Sequence, residues 1–284
     1  MPATPAVTAT RFTGSPATAE HRLSPHLTEV TLADGRVVMV KRADGPGAVR
    51  AEAAGLRWLA AADAVRVPTV HGHDDTWLVT DRVAPGRADA GGAERFGREL
   101  AALHAAGAPA FGAAPPDGPA EAYIGLAPMR NAPGGTWPDW FAEQRVLPYA
   151  RRAVDAGTLR PDEARVIERV CALLPALAGP AEPPARLHGD LWNGNVLWDG
   201  AGAAWLIDPA AHGGHRESDL AMLDLFGAPH LDRILAGYQR AAPLADGWRE
   251  RVPLHQLFPL LVHAVLFGRG YAERAVAVAR GQLT

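Results

Sequence analysis

The feature that most constrains the fold of this chain is a short polar segment, HGDLWNGN at residues 188–195, between two β-prone runs. Asp190 is followed by four residues and then by Asn195. Asp208 lies thirteen residues further on, directly after the apolar run 205–207. A loop this short lets the side chains of Asp190 and Asn195 face one point, so the fold has to bring these polar groups together.

These residue types match the requirements of phosphoryl transfer. That reaction needs a group that orients the attacking hydroxyl, oxygen ligands for Mg²⁺ and positive charge on the phosphates. Protein kinases use the spacing H-x-D-x-x-x-x-N, with the Asp as catalytic base and the Asn on a magnesium ion. The pattern therefore predicts Asp190 as the base, and Asn195 and Asp208 as ligands of Mg²⁺ bound with ATP.

Lys41 is the single lysine of the chain, whereas the other 27 of the 28 basic Lys and Arg residues are arginine. Arginine cannot replace lysine where a compact ammonium has to fit a tight site. Lys41 ends the β-prone run 37–41, and Glu52 follows eleven residues later in a predicted helix. We predict that Lys41 contacts the phosphates of ATP and that Glu52 holds its ammonium.

Each of these features alone has an ordinary explanation. An Asp-x4-Asn spacing is common in surface turns, Asp208 could cap a strand, and Glu52 could be a solvated helix charge. The order, the spacing and the predicted secondary structure nevertheless agree with one another. Their conjunction favours an α+β, bilobal, protein-kinase-like fold.

The predicted organisation is a β-rich N-lobe at residues 1–84 and a mainly helical C-lobe at residues 85–284. The Asp34-Gly35 pair between two β-prone runs indicates a hairpin. We expect the first ten residues to be frayed and residues 107–135 to form an irregular loop. Strands are predicted at 28–32, 37–41, 76–83, 185–188, 196–198 and 204–207, and helices at 48–62, 93–106, 137–154, 161–177 and over most of the chain from 218 onward.

Composition excludes several classes of partner. The net charge is −3, with 48% apolar and 21% charged residues, which predicts a globular chain without a nucleic-acid or membrane partner.

Cys171 is the single cysteine, so no intrachain disulfide can form, and we expect a packed, inert thiol in a cytoplasmic protein. No signal peptide is recognisable, and the apolar stretch 257–267 is too short to cross a bilayer.

The chain resembles the fructosamine/ketosamine 3-kinase family, a relative of the aminoglycoside and choline kinases. The segment LHGDLWNGNVL at 187–197 is close to the catalytic loop of that family, and Trp192 is more particular to it than to its relatives. The metal-binding strand of the family and the segment after it resemble IDPA at 207–210 and GHRESDLAM at 214–222. Further matches are LAALH at 100–104, YIG at 123–125 and WFAEQRVLP at 140–148.

The resemblance implies a ketosamine substrate, in which a 1-deoxy-ketose carbon joins a sugar to an amine, and phosphorylation of its 3-hydroxyl. An indole ring of Trp137, Trp140 or Trp192 could stack on the sugar or simply pack in the core. The segment 215–217 could line the substrate site or tie the metal-binding strand to the C-lobe; its residues are His215, Arg216 and Glu217. Kinases of this type cover the ATP phosphates with a turn that contains several glycines. The corresponding residues 13–27 depart from this pattern, because they contain only Gly14.

Two other functions remain open from the sequence. The chain could be a kinase for an aminoglycoside, choline or a sugar, or a kinase-like module that binds without catalysis. The intact Lys41, Asp190, Asn195 and Asp208 disfavour the second. A metal site at His212 and His215 is not favoured, because no cysteine or carboxylate spacing completes it. The oligomeric state is left open.

Overall fold

The computed structural model describes residues 4–43, 45 and 47–283. It begins with a helix, α1 (Pro5–Thr13), so the prediction that the first ten residues are frayed is wrong for residues 5–10. The Oγ of Thr4 caps the helix, Pro5 occupies its first turn, and Gly14 ends it with φ +73°. These are standard signals for the start and end of a helix.

Five antiparallel strands follow and form one sheet in the order β1-β2-β3-β5-β4. The predicted hairpin across Gly35 is confirmed, with its two strands joined from Leu27 to Lys41. Two strands were not predicted, because β1 is exposed over nearly its whole length and β4 is four residues long with a glycine at its centre. The strands are β1 (Ala17–Ser24), β2 (Leu27–Leu32), β3 (Val37–Arg42), β4 (Val70–His73) and β5 (Trp77–Asp81).

Strand β3 explains how the sheet presents Lys41. Val38 and Val40 are fully buried in a cluster that also contains Ala9 of α1. Successive side chains of a strand point to opposite faces. Lys41 therefore points away from α1, towards the face on which α2 (Ala48–Ala60) packs through Val49, Ala53 and Leu56 against Leu78 of β5.

The remainder of the chain is mainly helical. The predicted division after residue 84 falls in the segment 82–89, between β5 and the next helix, and it remains a prediction. A π-helical turn at Phe141–Val146 joins the two helices on either side of it. The helices are α3 (Ala90–Ala105), α4 (Trp137–Trp140), α5 (Leu147–Asp155), α6 (Pro161–Leu177), α7 (Glu217–Phe226), α8 (Leu231–Ala241), α9 (Trp248–Phe267) and α10 (Arg269–Gly281).

The segment 107–135 is not wholly irregular, because it contains the hairpin β6 (Glu121–Ile124) and β7 (Ala127–Arg130). Alternate side chains of this hairpin, Ala122, Ile124, Ala127 and Met129, are buried in the helical core. The strands are only four residues long, and the prolines and glycines around them hid this alternation. The prediction of an irregular loop is therefore wrong for the hairpin.

Two small antiparallel pairs complete the fold and carry the polar segment. Strand β8 (Ala185–Leu187) pairs with β11 (His212–Gly214), and β9 (Val196–Trp198) pairs with β10 (Ala204–Leu206). The polar loop runs from β8 to β9, and Asp208 follows β10. The hydrogen bond from Ile207 N to Asn195 O, at 3.1 Å, joins the two segments.

Cys171 is 9% exposed on α6, and burial raises the pKa of its thiol to about 12. The structure thus agrees with a packed and unreactive cysteine. Among the described residues, no helix is both long enough and apolar enough to cross a membrane.

Candidate active site

The loop at 188–195 is fixed at its beginning by a carboxylate from α7. Asp219 accepts hydrogen bonds from His188 N at 2.8 Å and from Gly189 N at 2.9 Å. Gly189 has φ +80°, and a Cβ there would lie 2.2 Å from the carbonyl oxygen of Ala210. Only glycine fits this position, so the backbone turns sharply just before Asp190.

Asp190 and Asn195 meet across the loop. The amide nitrogen Nδ2 of Asn195 donates to Asp190 O at 2.8 Å and to Asp190 Oδ2 at 3.0 Å. Burial raises the pKa of Asp190 to about 7, with the Asn195 hydrogen bond acting in the opposite direction and the Asp208 charge adding to the increase. A carboxyl group with a pKa near neutrality is suited to accept a proton from a substrate hydroxyl.

Lys41 joins its own strand to the next helix and to a segment that is distant in sequence. Its Nζ lies 2.9 Å from Glu52 Oε2 on α2 and 2.9 Å from Asp208 Oδ1 after β10. Helix α2 lies close to the segment that carries Asp208, because a Cβ on Gly55 would be 3.1 Å from Cγ of Pro209. The predicted contact between Lys41 and Glu52 is therefore present in the structure.

The electrostatics of this trio favour a permanent positive charge on Lys41. Burial lowers the pKa of its ammonium, but the charges of Glu52 and Asp208 outweigh that effect and raise it above its ordinary value. Burial also raises the pKa of Glu52, while the Lys41 ammonium lowers it. Asp208 adopts φ +52°, in the left-handed region that short polar side chains tolerate.

One cavity of about 690 Å³ is lined by all five of these side chains: Lys41, Glu52, Asp190, Asn195 and Asp208. Its volume is in the range of small-molecule sites. The residues present fit a magnesium ion, because the recorded hydrogen bonds of the Asn195 side chain use Nδ2 and leave Oδ1 as a ligand atom. The Asp208 carboxylate, 46% exposed, supplies a second hard oxygen ligand.

Trp192 lines the same cavity and is 42% exposed. Its indole lies directly over the loop backbone, since a Cβ on Gly194 would be 2.2 Å from its Cη2. The other two tryptophans considered from the sequence, Trp137 and Trp140, are each 4% exposed in the helical core. Of the three, Trp192 is the one that lines the cavity.

The segment 215–217 is placed elsewhere. His215 is 3% exposed and packs on Trp137, with ring centroids 5.0 Å apart. Arg216 donates to both carboxylate oxygens of Glu182 at 2.6 and 2.7 Å. None of the three side chains at 215–217 is among the described residues that line the cavity around Asp190.

Glu217 is the centre of a buried polar cluster. Its two oxygens accept from Arg251 Nε at 2.9 Å and Nη2 at 2.5 Å, and one lies 3.3 Å from His255 Nε2. His215, Glu217 and His255 offer three ligand atoms within 4.8 Å of one another, a set that sequence spacing did not reveal because it involves His255 rather than His212. The Arg251 guanidinium already neutralises the carboxylate that a cation would need. These contacts favour a role in tying the loop after β11 to α9.

We expect Glu217→Gln to lower the free energy of unfolding by about 1.5–3 kcal/mol at pH 7, since it removes a charge bonded to buried Arg251. Burial raises the pKa of Glu217, but the adjacent His255 ring and the bonds from Arg251 outweigh it and hold the pKa at about 2, below the usual 4.5. The stabilisation is thus complete above pH 4.5 and declines as the pH falls towards 2. Urea denaturation of both proteins from pH 7 to pH 3 measures the difference.

Glu250→Gln, at an exposed position on α9 next to Arg251, is the control and should change stability by less than about 0.5 kcal/mol. A Glu217→Gln protein of unchanged stability but raised KM for its acceptor would instead place the segment in the substrate site.

Asp219, which holds the start of the loop, is a residue that sequence spacing did not identify. It is 1% exposed, and it also contacts His104 Nε2 at 3.2 Å. His104 in turn pairs through Nδ1 with the Tyr238 hydroxyl at 2.8 Å. An acidic residue in the first turn of a helix is normally explained by its favourable interaction with the helix dipole. The sequence signals for His104 and Asp219 were therefore limited to the family matches at LAALH and SDLA.

Comparison with known proteins gives the family. The profile of the fructosamine kinase family matches residues 30–284. A protein of Synechocystis, named "probable ketoamine kinase slr1563", is 38% identical over 234 residues, which cover 80% of this chain and 75% of that protein. A crystal structure described as a candidate fructosamine-3-kinase of Thermobifida fusca is 52% identical, covers 98% of both chains and superposes with a TM-score of 0.91.

The fold extends to more distant phosphotransferases. The choline kinase LicA of Streptococcus pneumoniae superposes with a TM-score of 0.65 over 98% of both chains at 13% identity. The predicted α+β, protein-kinase-like fold is thereby confirmed. The match of the family profile over nine-tenths of the sequence, with the catalytic-loop residues assembled in one cavity, leads to one conclusion: this chain belongs to the fructosamine kinase family of phosphotransferases.

Proposed function

We propose that this protein is an ATP-dependent kinase that phosphorylates the 3-hydroxyl of a ketosamine. The observation that carries the proposal is the convergence of Lys41, Asp190, Asn195 and Asp208 on one cavity. The names of its relatives support a sugar-amine acceptor. LicA, a choline kinase of the same fold, has been solved with AMP, which supports a nucleotide as the second substrate.

In this mechanism Asp190 orients the attacking hydroxyl and accepts its proton. The hydrogen bond from Asn195 Nδ2 keeps the Asp190 carboxylate in place, and the bonds that Asp219 accepts from the loop backbone fix the turn that presents it. Positioning of this kind is the main contribution that a protein makes to phosphoryl transfer. We therefore expect Asp190 to reach the hydroxyl without a rearrangement of the loop.

The positive charge for the phosphates comes from Lys41. Glu52 holds its ammonium at 2.9 Å, so the charge is already oriented before the nucleotide binds. Asn195 and Asp208 would hold Mg²⁺, which when bound neutralises the charge that develops on the transferred phosphoryl group. Lys41, Asp190, Asn195 and Asp208 are all intact and line one cavity, which argues against a module that only binds.

Trp192 is our candidate for recognition of the sugar. Its indole packs against the loop at Gly194 and is partly exposed in the cavity that contains Asp190. An aromatic face of this type stacks well on the apolar face of a sugar.

We place the reaction in the cytoplasm, consistent with the use of ATP and with a single buried thiol.

An acceptor screen tests the proposed function. Purified protein with Mg·ATP should release ADP in the presence of fructosamine or ribulosamine derivatives, and ³¹P NMR of the product should show the phosphate on the 3-oxygen. The comparison acceptors are an aminoglycoside, choline and the free sugars. Turnover of one of these and of no ketosamine would establish the alternative small-molecule kinase, and turnover of none would favour a binding module.

A further inference from the structure

Exposed apolar side chains are concentrated at one place on the protein. Among the described residues, six large apolar side chains are exposed, and three of them line the cavity that contains Asp190. These are Leu126 at 80%, Phe267 at 67% and Trp192 at 42% exposure. Single exposed apolar residues are normal on a protein surface, but their concentration in one concave site indicates a binding role.

The rings at this place form a continuous row that leads away from the catalytic loop. Trp192 contacts Phe226 at 6.2 Å between ring centroids, and Phe226 contacts His263 at 4.9 Å. His263 then contacts Phe267 at 5.2 Å and Tyr271 at 5.0 Å. We call these five rings the aromatic row. It joins four elements, namely the catalytic loop, α7, α9 and α10.

The tip of the β6–β7 hairpin lies beside the outer end of this row. Gly125 turns with φ +54°, and a Cβ there would lie 3.7 Å from Cδ1 of Leu266, so the tip is within van der Waals distance of α9. Leu126, the next residue, lines the same cavity as Phe267. Its high exposure means that it contributes little to the core. The hairpin tip and the end of α9 thus both border the outer part of the cavity.

The charges that line the cavity lie mostly at its catalytic end. Lys41, Glu52 and Asp208 are within ion-pair distance of one another. The His263 ring is held with Nδ1 donating to Pro259 O at 2.8 Å, and burial lowers its pKa below the ordinary 6.5, which favours the neutral ring at pH 7. The guanidinium of Arg274 lies 5.9 Å from the Tyr271 centroid and is not among the described residues that line the cavity. The outer part is therefore suited to an apolar group.

We propose that Leu126, His263 and Phe267 form a subsite for the organic group on the amine nitrogen of the acceptor, and that it selects aromatic or branched aliphatic groups. This inference rests on the proposed function. The 3-hydroxyl has to lie at Asp190 and the sugar at Trp192, and the nitrogen is attached two carbons from the reacting position. Its substituent is the part of the acceptor that remains to be placed, and three rings of the aromatic row, Trp192, His263 and Phe267, line the same cavity.

A matched pair of acceptors tests this subsite. Both are 1-deoxyfructosyl adducts with a secondary amine, one made from benzylamine and the other from ethanolamine, so the sugar and the charge are the same. We expect kcat/KM for the benzylamine adduct to be about tenfold higher, because a hydrophobic pocket discriminates by at least this factor for a few additional carbon atoms. Phe267→Ala and Leu126→Ala should each bring the ratio of the two values to within about twofold of one.

The control is Leu173→Ala, which removes an exposed leucine on α6, away from the cavity, and should leave the ratio at its wild-type value. Equal kcat/KM values for both acceptors in the wild-type protein would overturn the subsite and leave the kinase assignment intact. A ratio that is unchanged in both variants would also overturn the subsite. If the variants lose an oligomer in size-exclusion chromatography, the subsite is likewise overturned, and the surface is assigned to a second copy of the chain. Turnover of neither adduct would contradict the proposed function itself.

Discussion

Asp190→Asn is expected to retain Mg·ATP binding and to lose about 10²–10⁴-fold in kcat, the range that proton acceptance and positioning by a side chain supply. The asparagine has nearly the same size, so it can remain beside Asn195, where Oδ2 of Asp190 accepts a bond of 3.0 Å. Its amide, however, cannot accept the proton of the hydroxyl. Binding and chemistry should therefore separate in this variant.

Two measurements are needed. A coupled assay for ADP gives kcat, and calorimetry gives the affinity for Mg·ATP. Asp232→Asn, at a carboxylate that is 81% exposed on α8, is the matched control and should remain within about twofold of wild type. An Asp190→Asn enzyme with kcat within about threefold of wild type would remove Asp190 from the role of base.

The central part of the site was predictable from the sequence because its chemistry is local. Asp190 and Asn195 lie in one loop, and their spacing alone brings the amide to the carboxylate. Lys41 was recognisable for a different reason, since it is the single lysine in an arginine-rich chain. Its contact with Glu52 follows from a strand and the helix after it. Its contact with Asp208 depends on how the sheet packs on the rest of the chain.

Strands β1 and β4, which sequence reasoning missed, lack a periodic hydrophobic signal. Strand β1 is exposed along nearly its whole length, and β4 contains Gly72 at a buried position where a Cβ would lie 2.2 Å from the Phe12 ring. That glycine is required by the approach of α1, which was itself predicted to be frayed. The helix is held by the sheet through Ala9 and Phe12, a tertiary effect that local propensity does not express.

The segment 215–217 shows the limit of reading function from polar residues alone. Three titratable side chains in succession, close to a metal-ligand candidate, suggested a substrate-binding role as strongly as a structural one. Their partners, Glu182, Arg251 and His255, lie on distant parts of the chain. Such partners cannot be identified from local spacing, so only the structure favours the structural alternative.

The second large effect is expected at Lys41. Lys41→Arg should fold normally and lose about 100-fold in kcat/KM, comparable to the removal of one preorganised donor from an active site. The ammonium lies 2.9 Å from oxygens on two different elements, Glu52 of α2 and Asp208 after β10. A planar guanidinium is wider and presents its donors as a fixed fork. It retains the charge, so stability is kept, but it cannot occupy the same point between two carboxylates and a phosphate.

Amine labelling gives an independent measurement, because the reagent has one side chain and the N-terminal amine to modify. Burial lowers the pKa of Lys41, but the carboxylates of Glu52 and Asp208 outweigh this effect and raise the pKa above its ordinary value. The reactive neutral amine is therefore scarce, and labelling of Lys41 should be slower than labelling of the terminal amine. Mg·ATP should slow the labelling of Lys41 again and leave the terminal amine, the internal control, unchanged. A fully active Lys41→Arg enzyme, or labelling of Lys41 at the same rate with and without Mg·ATP, would show that the ammonium does not contact the nucleotide.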